Sequence, residues 1–195
     1  MGYSQSSLAV SGKSPDEVLS AIGLRSTGKR VELPESGYNG ANLPNGWFLV
    51  IADRAESEII DEGVLRRLSI GCEVIACSVE EHVMVSEASG WKNGSRKWRV
   101  VHDPQRGMEH LEVEGEPPAV FTSIRDRLCE EQSAAGGSES DTDYYFDIPV
   151  ELAMSFTGYR HDKDTPGLIE NSFEVLEALD ELPRKKSFLR RLFGS

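Results

Sequence analysis

Cysteine is scarce in this sequence: Cys72, Cys77 and Cys129 are the only three. Cys72 and Cys77 lie in "GCEVIACSVEEHV", which reads as a strand. Five strand steps set them roughly 16–17 Å apart on opposite faces, so they can neither bridge nor share a metal. With Cys129 on an expected helix, all three read as small buried hydrophobes of a reducing compartment. Long apolar runs are missing as well, since nothing approaches the roughly 20 residues that cross a bilayer. The opening "MGYSQSS" has no cationic start and no apolar stretch, so no secretory leader is expected. These absences point to a cytoplasmic protein.

Catalytic signatures are equally sparse. There is no Gly-x-Gly-x-x-Gly, no serine in a nucleophile elbow and no H-E-x-x-H. "SGKS" at 11–14 resembles the end of a phosphate-binding loop, but Ser7 stands where that loop needs its first glycine. Pro15 also removes a backbone donor there, so the phosphate reading is rejected. No cysteine has basic neighbours that would favour a thiolate. No cofactor is expected, and an enzyme is unsupported.

What is abundant is acid. Asp and Glu number 33 against 21 Lys and Arg, a formal net charge of −12. The last twelve residues, "RKKSFLRRLFGS", carry +5 and no acid, so the remainder stands at −17 against −12 for the whole. Such a surface repels nucleic acid and steers basic partners. If helical, the tail sets Phe188 with Leu192 and Leu189 with Phe193 in a basic amphipathic stripe, suited to docking on its own domain, on a partner or on a membrane.

The patterning predicts one α+β domain over 1–183, with an antiparallel meander sheet packed by helices, a C-terminal helical segment and the basic tail at 184–195. A first strand in "YSQSSLAVSG" leads to a helix with Ser14 as N-cap, Pro15 at its first position and Glu17 completing a capping box. Residues 25–46 read as a long loop. "WFLVIAD" reads as a central, doubly covered strand, and "SEIIDEGVLRRLSI" as a short helix. "CEVIACSVE", "EHVMVSEAS", "KWRVVHD" and "MEHLEVEG" read as successive strands. "PPAVFTSIRDRLCEEQ" is the clearest helix. The stretch at 133–143, "SAAGGSESDTD", is an acidic flexible loop. Beyond it, "YYFDIPVELAMSF" predicts a strand followed by a helix opened by Asp147 and Pro149, and "SFEVLEALDEL" predicts a further helix.

Three clusters are candidate sites. "SGWKNGSRKWRVVHD" (89–103) is a hairpin about Asn93-Gly94. A two-residue turn would set Trp91 opposite Arg96 and Ser89 opposite Trp98, with Trp91 half exposed against the Arg96 stem. Such aromatic and arginine residues hold hairpin register, and they also make binding hot spots. Asp141 and Asp143 in "DTDYYFD" add acidic contacts. His161, Asp162 and Asp164 in "YRHDKDTP" supply the imidazole and carboxylates of a hard-metal site, though without a defined ligand spacing.

The run from "LPNGWFLVIAD" through "GCEVIACSVEEHVMVSEASGW" to "YYFDIPVELAMSFTGYRHD" resembles a set of uncharacterised bacterial soluble proteins with no assigned function. That resemblance implies a bacterial cytoplasmic setting and transfers no site residues. The expectation is a non-enzymatic binding protein of the immunity or antitoxin kind, recognising a basic protein through Trp91, Arg96, Asp141 and Asp143. The alternative is a small metal-dependent hydrolase using His161, Asp162 and Asp164.

Overall fold

A computed structural model describes residues 2–35 and 37–179; the basic tail at 184–195 lies outside them. Nine strands form one sheet in which every pairing is antiparallel. They are β1 (Ser4–Ser11), β2 (Leu24–Val31), β3 (Tyr38–Asn42), β4 (Phe48–Ala52), β5 (Glu73–Glu80), β6 (Val85–Lys92), β7 (Ser95–His102), β8 (Glu112–Gly115) and β9 (Phe173–Ala178). Their spatial order is β2-β9-β3-β4-β1-β5-β6-β7-β8, so β5 to β8 are the expected meander. Four helices accompany them: α1 (Pro15–Ile22), α2 (Glu62–Leu68), α3 (Val120–Ala134) and α4 (Tyr144–Thr157). The class is α+β, with α3 and α4 toward the C-terminal end.

Strand periodicity divides the core between two faces. Leu8 and Val10 of β1 point to the side where α1 and α2 supply Val18, Leu19, Leu65 and Leu68. Ala9 points the other way, into a cluster with Phe121, Ile124 and Leu128 of α3 and Ile148 and Leu152 of α4. Both faces of the central strands are therefore covered, which is why all five residues of β4 are buried and apolar. Cys72 and Cys77 fall on opposite faces as their spacing requires. The N-terminus of α1 is also as read. Ser14 and Glu17 close a reciprocal capping box, Pro15 sits in the first turn, and Gly23 ends the helix at φ 72°.

Three local expectations are corrected. Residues 25–46 are not a long loop, because they contain β2 and β3. The six middle residues of β2 are exposed and polar, so no alternation marks them. β3 accepts only small side chains where a Cβ on Gly40 would come within 3.1 Å of both Leu176 and Phe48. The described part of "SFEVLEALDEL", residues 172–179, is not a helix. Its apolar spacing instead places Phe173 and Leu176 of β9 in opposite cores, one on each face of the sheet. "YYFDIPVELAMSF" contains no strand. Asp143 caps a single helix through Phe146 N, and Pro149 lies inside it. The segment before β5 does supply the expected short helix, α2, preceded by a 3₁₀ turn at Glu58–Ile60.

The hairpin register is the instructive case. Trp91 does pair with Arg96, but the ladder slips between Gly90 and Trp91, so Ser89 faces Arg99 and Gly90 faces Trp98. The slip sends the two tryptophans to opposite faces of the sheet. Trp98 lies flat over Gly90, where an added Cβ would meet its Nε1 at 2.2 Å, and it stacks on Phe156.

Candidate protein-binding surface

Trp91 is 3% exposed rather than half exposed, packed in the core beneath α1 and α2. Its Nε1 donates to Ser89 Oγ, and the Arg96 guanidinium sits 5.8 Å from its ring centroid while pairing with Glu114 at 2.5 Å. The turn itself is pinned to the end of α2: Asn93 N donates to Ser69 O at 2.8 Å and Gly94 N to Ser69 Oγ at 3.1 Å. Aromatic and turn are thus committed to the fold, and Arg96 is the partly exposed member.

The residues after α4 form a buried ion cluster whose centre, Arg160, was not singled out in the sequence. Its side chain is 6% exposed. Nε lies 2.5 Å from Asp162 Oδ1, Nη2 2.7 Å from Asp147 Oδ1, and Nη1 3.7 Å from Glu151 Oε1. Asp147 and Glu151 stand one turn apart on α4, and that i,i+4 spacing is the signal that could have revealed the site. Burial raises the Asp147 carboxyl above its ordinary range against the pull of Arg160. Burial also works to raise Asp162, but the hydrogen bond and charge of Arg160 outweigh it and hold that carboxyl low.

His161 turns the other way. Its Nε2 lies 2.9 Å from Glu81 Oε1, with Tyr3 edge-on to the ring. Asp164 is exposed. His161, Asp162 and Asp164 are therefore not brought together, and among the described residues no three His, Cys, Asp or Glu side chains are placed to hold a metal ion. A cavity beneath α4, lined in part by Gln5, Ser7, Cys77, Thr157 and Arg160, has a volume of 20 Å³. That holds about one water molecule, against the roughly 300–1,000 Å³ of small-molecule sites. Burial pushes the Cys77 thiol up to about 12, so the sulfur facing this cavity stays protonated and is a poor nucleophile.

Asp143 is likewise committed. Its Oδ1 accepts from Phe146 N at the start of α4, and its Oδ2 meets His102 Nε2. Asp141, two residues earlier, is exposed.

Around Asp141 the charge is of one sign. α3 ends with no basic residue in its last turn, so the partial negative charge of its carbonyl end is not offset locally. Glu130 is exposed on that turn, and Glu139 and Asp141 are exposed on the connection to α4. Tyr145 at the start of α4 feels Cys129 of α3 and the charge of Glu109. Burial, that contact and that charge raise the phenol above its ordinary range. Glu109, Glu130, Glu139 and Asp141 have no ion pair among the described residues. By contrast, the other large charge clusters, around Arg99 and Arg160, are internally paired. The acidic corner between α3 and α4 can attract cations.

Comparison with protein-family models, with curated proteins and with solved structures finds no match for this chain.

Proposed function

We propose that this chain is a non-enzymatic binding protein of the bacterial cytoplasm, of the immunity or antitoxin kind, that takes a basic protein partner at the acidic corner between α3 and α4. One observation carries the reading: Glu109, Glu130, Glu139 and Asp141 are exposed and, among the described residues, without an ion pair, whereas the carboxylates around Arg99 and Arg160 are occupied. Unpaired surface charge of one sign accelerates encounter with a partner of the opposite sign and selects against acidic competitors. The same charge disfavours nucleic acid. No helix among the described residues is long and apolar enough to cross a membrane.

The test uses an arginine- and lysine-rich peptide as probe. Charge reversal at Glu130, Glu139 and Asp141 is compared with reversal at the equally exposed Asp16, Glu32 and Glu170. The expected outcome is salt-sensitive binding lost in the first triple variant and kept in the second. Equal loss in both would mean that net charge alone governs association, and the corner would have no role.

A further inference from the structure

The sheet has two open edges, and they differ in charge and in shape. At one end, β2 carries Arg25, Lys29 and Arg30. Its pairing with β9 shifts register between Ser26 and Arg30, and Gly28 in that interval adopts φ +75°. A basic, bulged edge resists addition of another strand, most of all a basic one.

At the other end, β8 pairs with β7 in unbroken register from Val101↔Glu112 to Trp98↔Gly115, and no described strand lies beyond it. Among the usual edge guards, its four residues include no lysine and no proline. Its two glutamates do not screen the edge. Arg99 holds Glu112 at 3.2 Å and Glu114 at 3.1 Å, Arg96 holds Glu114, and Arg106 of the preceding loop holds Glu112 at 2.5 Å, so both carboxylates are already ion-paired. Val113 stands on the opposite face, paired with the buried Val100 beside the α3–α4 core, and is 42% exposed. Exposed glutamates with no ion pair among the described residues flank the strand at both ends, Glu109 before it and Glu116 after it. Glu109 lies on the loop before β8, and its charge reaches Tyr145 at the start of α4.

Building on the reading of a basic partner, we propose that β8 is where that partner docks, with an extended basic segment adding to the sheet as a tenth strand. Main-chain hydrogen bonds to the free side of β8 would supply affinity. Lysine or arginine side chains meeting Glu109 and Glu116, and an apolar side chain covering Val113, would supply selection.

The probe is an eight-residue peptide of alternating lysine and valine, used beside the same peptide N-methylated at its four central residues. Methylation keeps the charge and removes the amide donors along both edges. Binding to the ¹⁵N-labelled protein is followed by chemical-shift change and amide exchange at Glu112–Gly115. The unmethylated peptide is expected to slow exchange in β8 and to bind about tenfold or more tightly than its methylated form, since each lost hydrogen bond weakens binding severalfold. Glu109→Lys with Glu116→Lys is expected to weaken it about tenfold with the rest of the spectrum unchanged. Equal binding of both peptides, with shifts centred on Glu130, Glu139 and Asp141, would overturn strand addition and leave the acidic corner standing. Failure of both peptides to bind would remove both.

Discussion

His102 Nε2 lies 2.9 Å from Asp143 Oδ2, and both side chains are almost wholly buried, at 0% and 6% exposure. The other ring nitrogen, Nδ1, lies 2.8 Å from the carbonyl oxygen of His110. A carbonyl can only accept, so Nδ1 carries a proton there. One imidazole thus fastens the end of β7 both to the loop before β8 and to the residue that caps α4. Asp143 has two tasks, capping and pairing, and neither can be replaced by water at this depth. Asp143→Ala should therefore cost about 3 kcal/mol, combining a lost cap with a stranded buried partner. Asp141→Ala, two residues away in solvent, should stay within about 0.5 kcal/mol of the parent. Denaturant midpoints at constant slope read the difference directly, and similar losses at the two positions would contradict the division of labour.

Arg160 neutralises carboxylates that cannot all remain charged without it. In Arg160→Leu, the remaining charges around Asp147, Glu151 and Asp162 would face one another in a partly buried site, at a cost of about 2 kcal/mol near neutral pH. The sign of the pH dependence follows from the two shifts. Asp162 is held low in the fold, so it contributes stability above its unfolded pKa and loses it as pH falls through the folded value. Asp147 is raised, so its contribution is present below its unfolded pKa and is lost as pH rises through the folded value. Removing the guanidinium moves Asp162 to the second kind of behaviour. The deficit of the variant should then shrink on acidification from about pH 7 to about pH 4, where protonation relieves the repulsion. Melting profiles of both proteins across that range check it; a deficit that is constant or grows would refute the cluster's role.

The thiol of Cys77 should be silent in the native protein. Burial pushes it up to about 12, so at pH 8 about one thiol in ten thousand is ionised. Alkylation at pH 8, followed by mass mapping, should leave Cys77 unmodified until denaturant is added. Native labelling at a rate close to that of the unfolded chain would show that the region beneath α4 opens readily.

What could be read in the sequence depended on how local its cause was. The capping box at Ser14 and Glu17, the apolar run of β4 and the Asn93-Gly94 turn are fixed by neighbours within a few residues. β2 and β9 were not legible because they are partners to each other across the length of the chain: Ser26 and Glu174, which bond side chain to side chain, are 148 residues apart. Neither strand has an alternating pattern, since one is exposed along its middle and the other feeds both cores. The residues proposed for metal binding were adjacent in sequence, but adjacency sent His161 and Asp162 in opposite directions, to Glu81 and Arg160. Asp141 and Asp143 looked alike in the text. Only the fold separates the solvent-facing carboxylate from the buried cap.

Gly90 and Trp98 test the register slip that places the two tryptophans in different cores. The indole of Trp98 occupies the space above Gly90, where an added Cβ would come within 2.2 Å of Nε1 and 2.4 Å of Cε2. A rigid ring that also stacks on Phe156 of α4, centroids 5.9 Å apart, cannot swing aside without disturbing the α3–α4 core. Gly90→Ala should therefore destabilise by about 2–3 kcal/mol, at the upper end of overpacking costs. Combining it with Trp98→Leu should give less than the sum of the two separate losses, because the smaller side chain vacates the contested space. If the double variant is instead additive, the two residues do not compete for one volume. The hairpin would then have the regular register that its two-residue turn suggests.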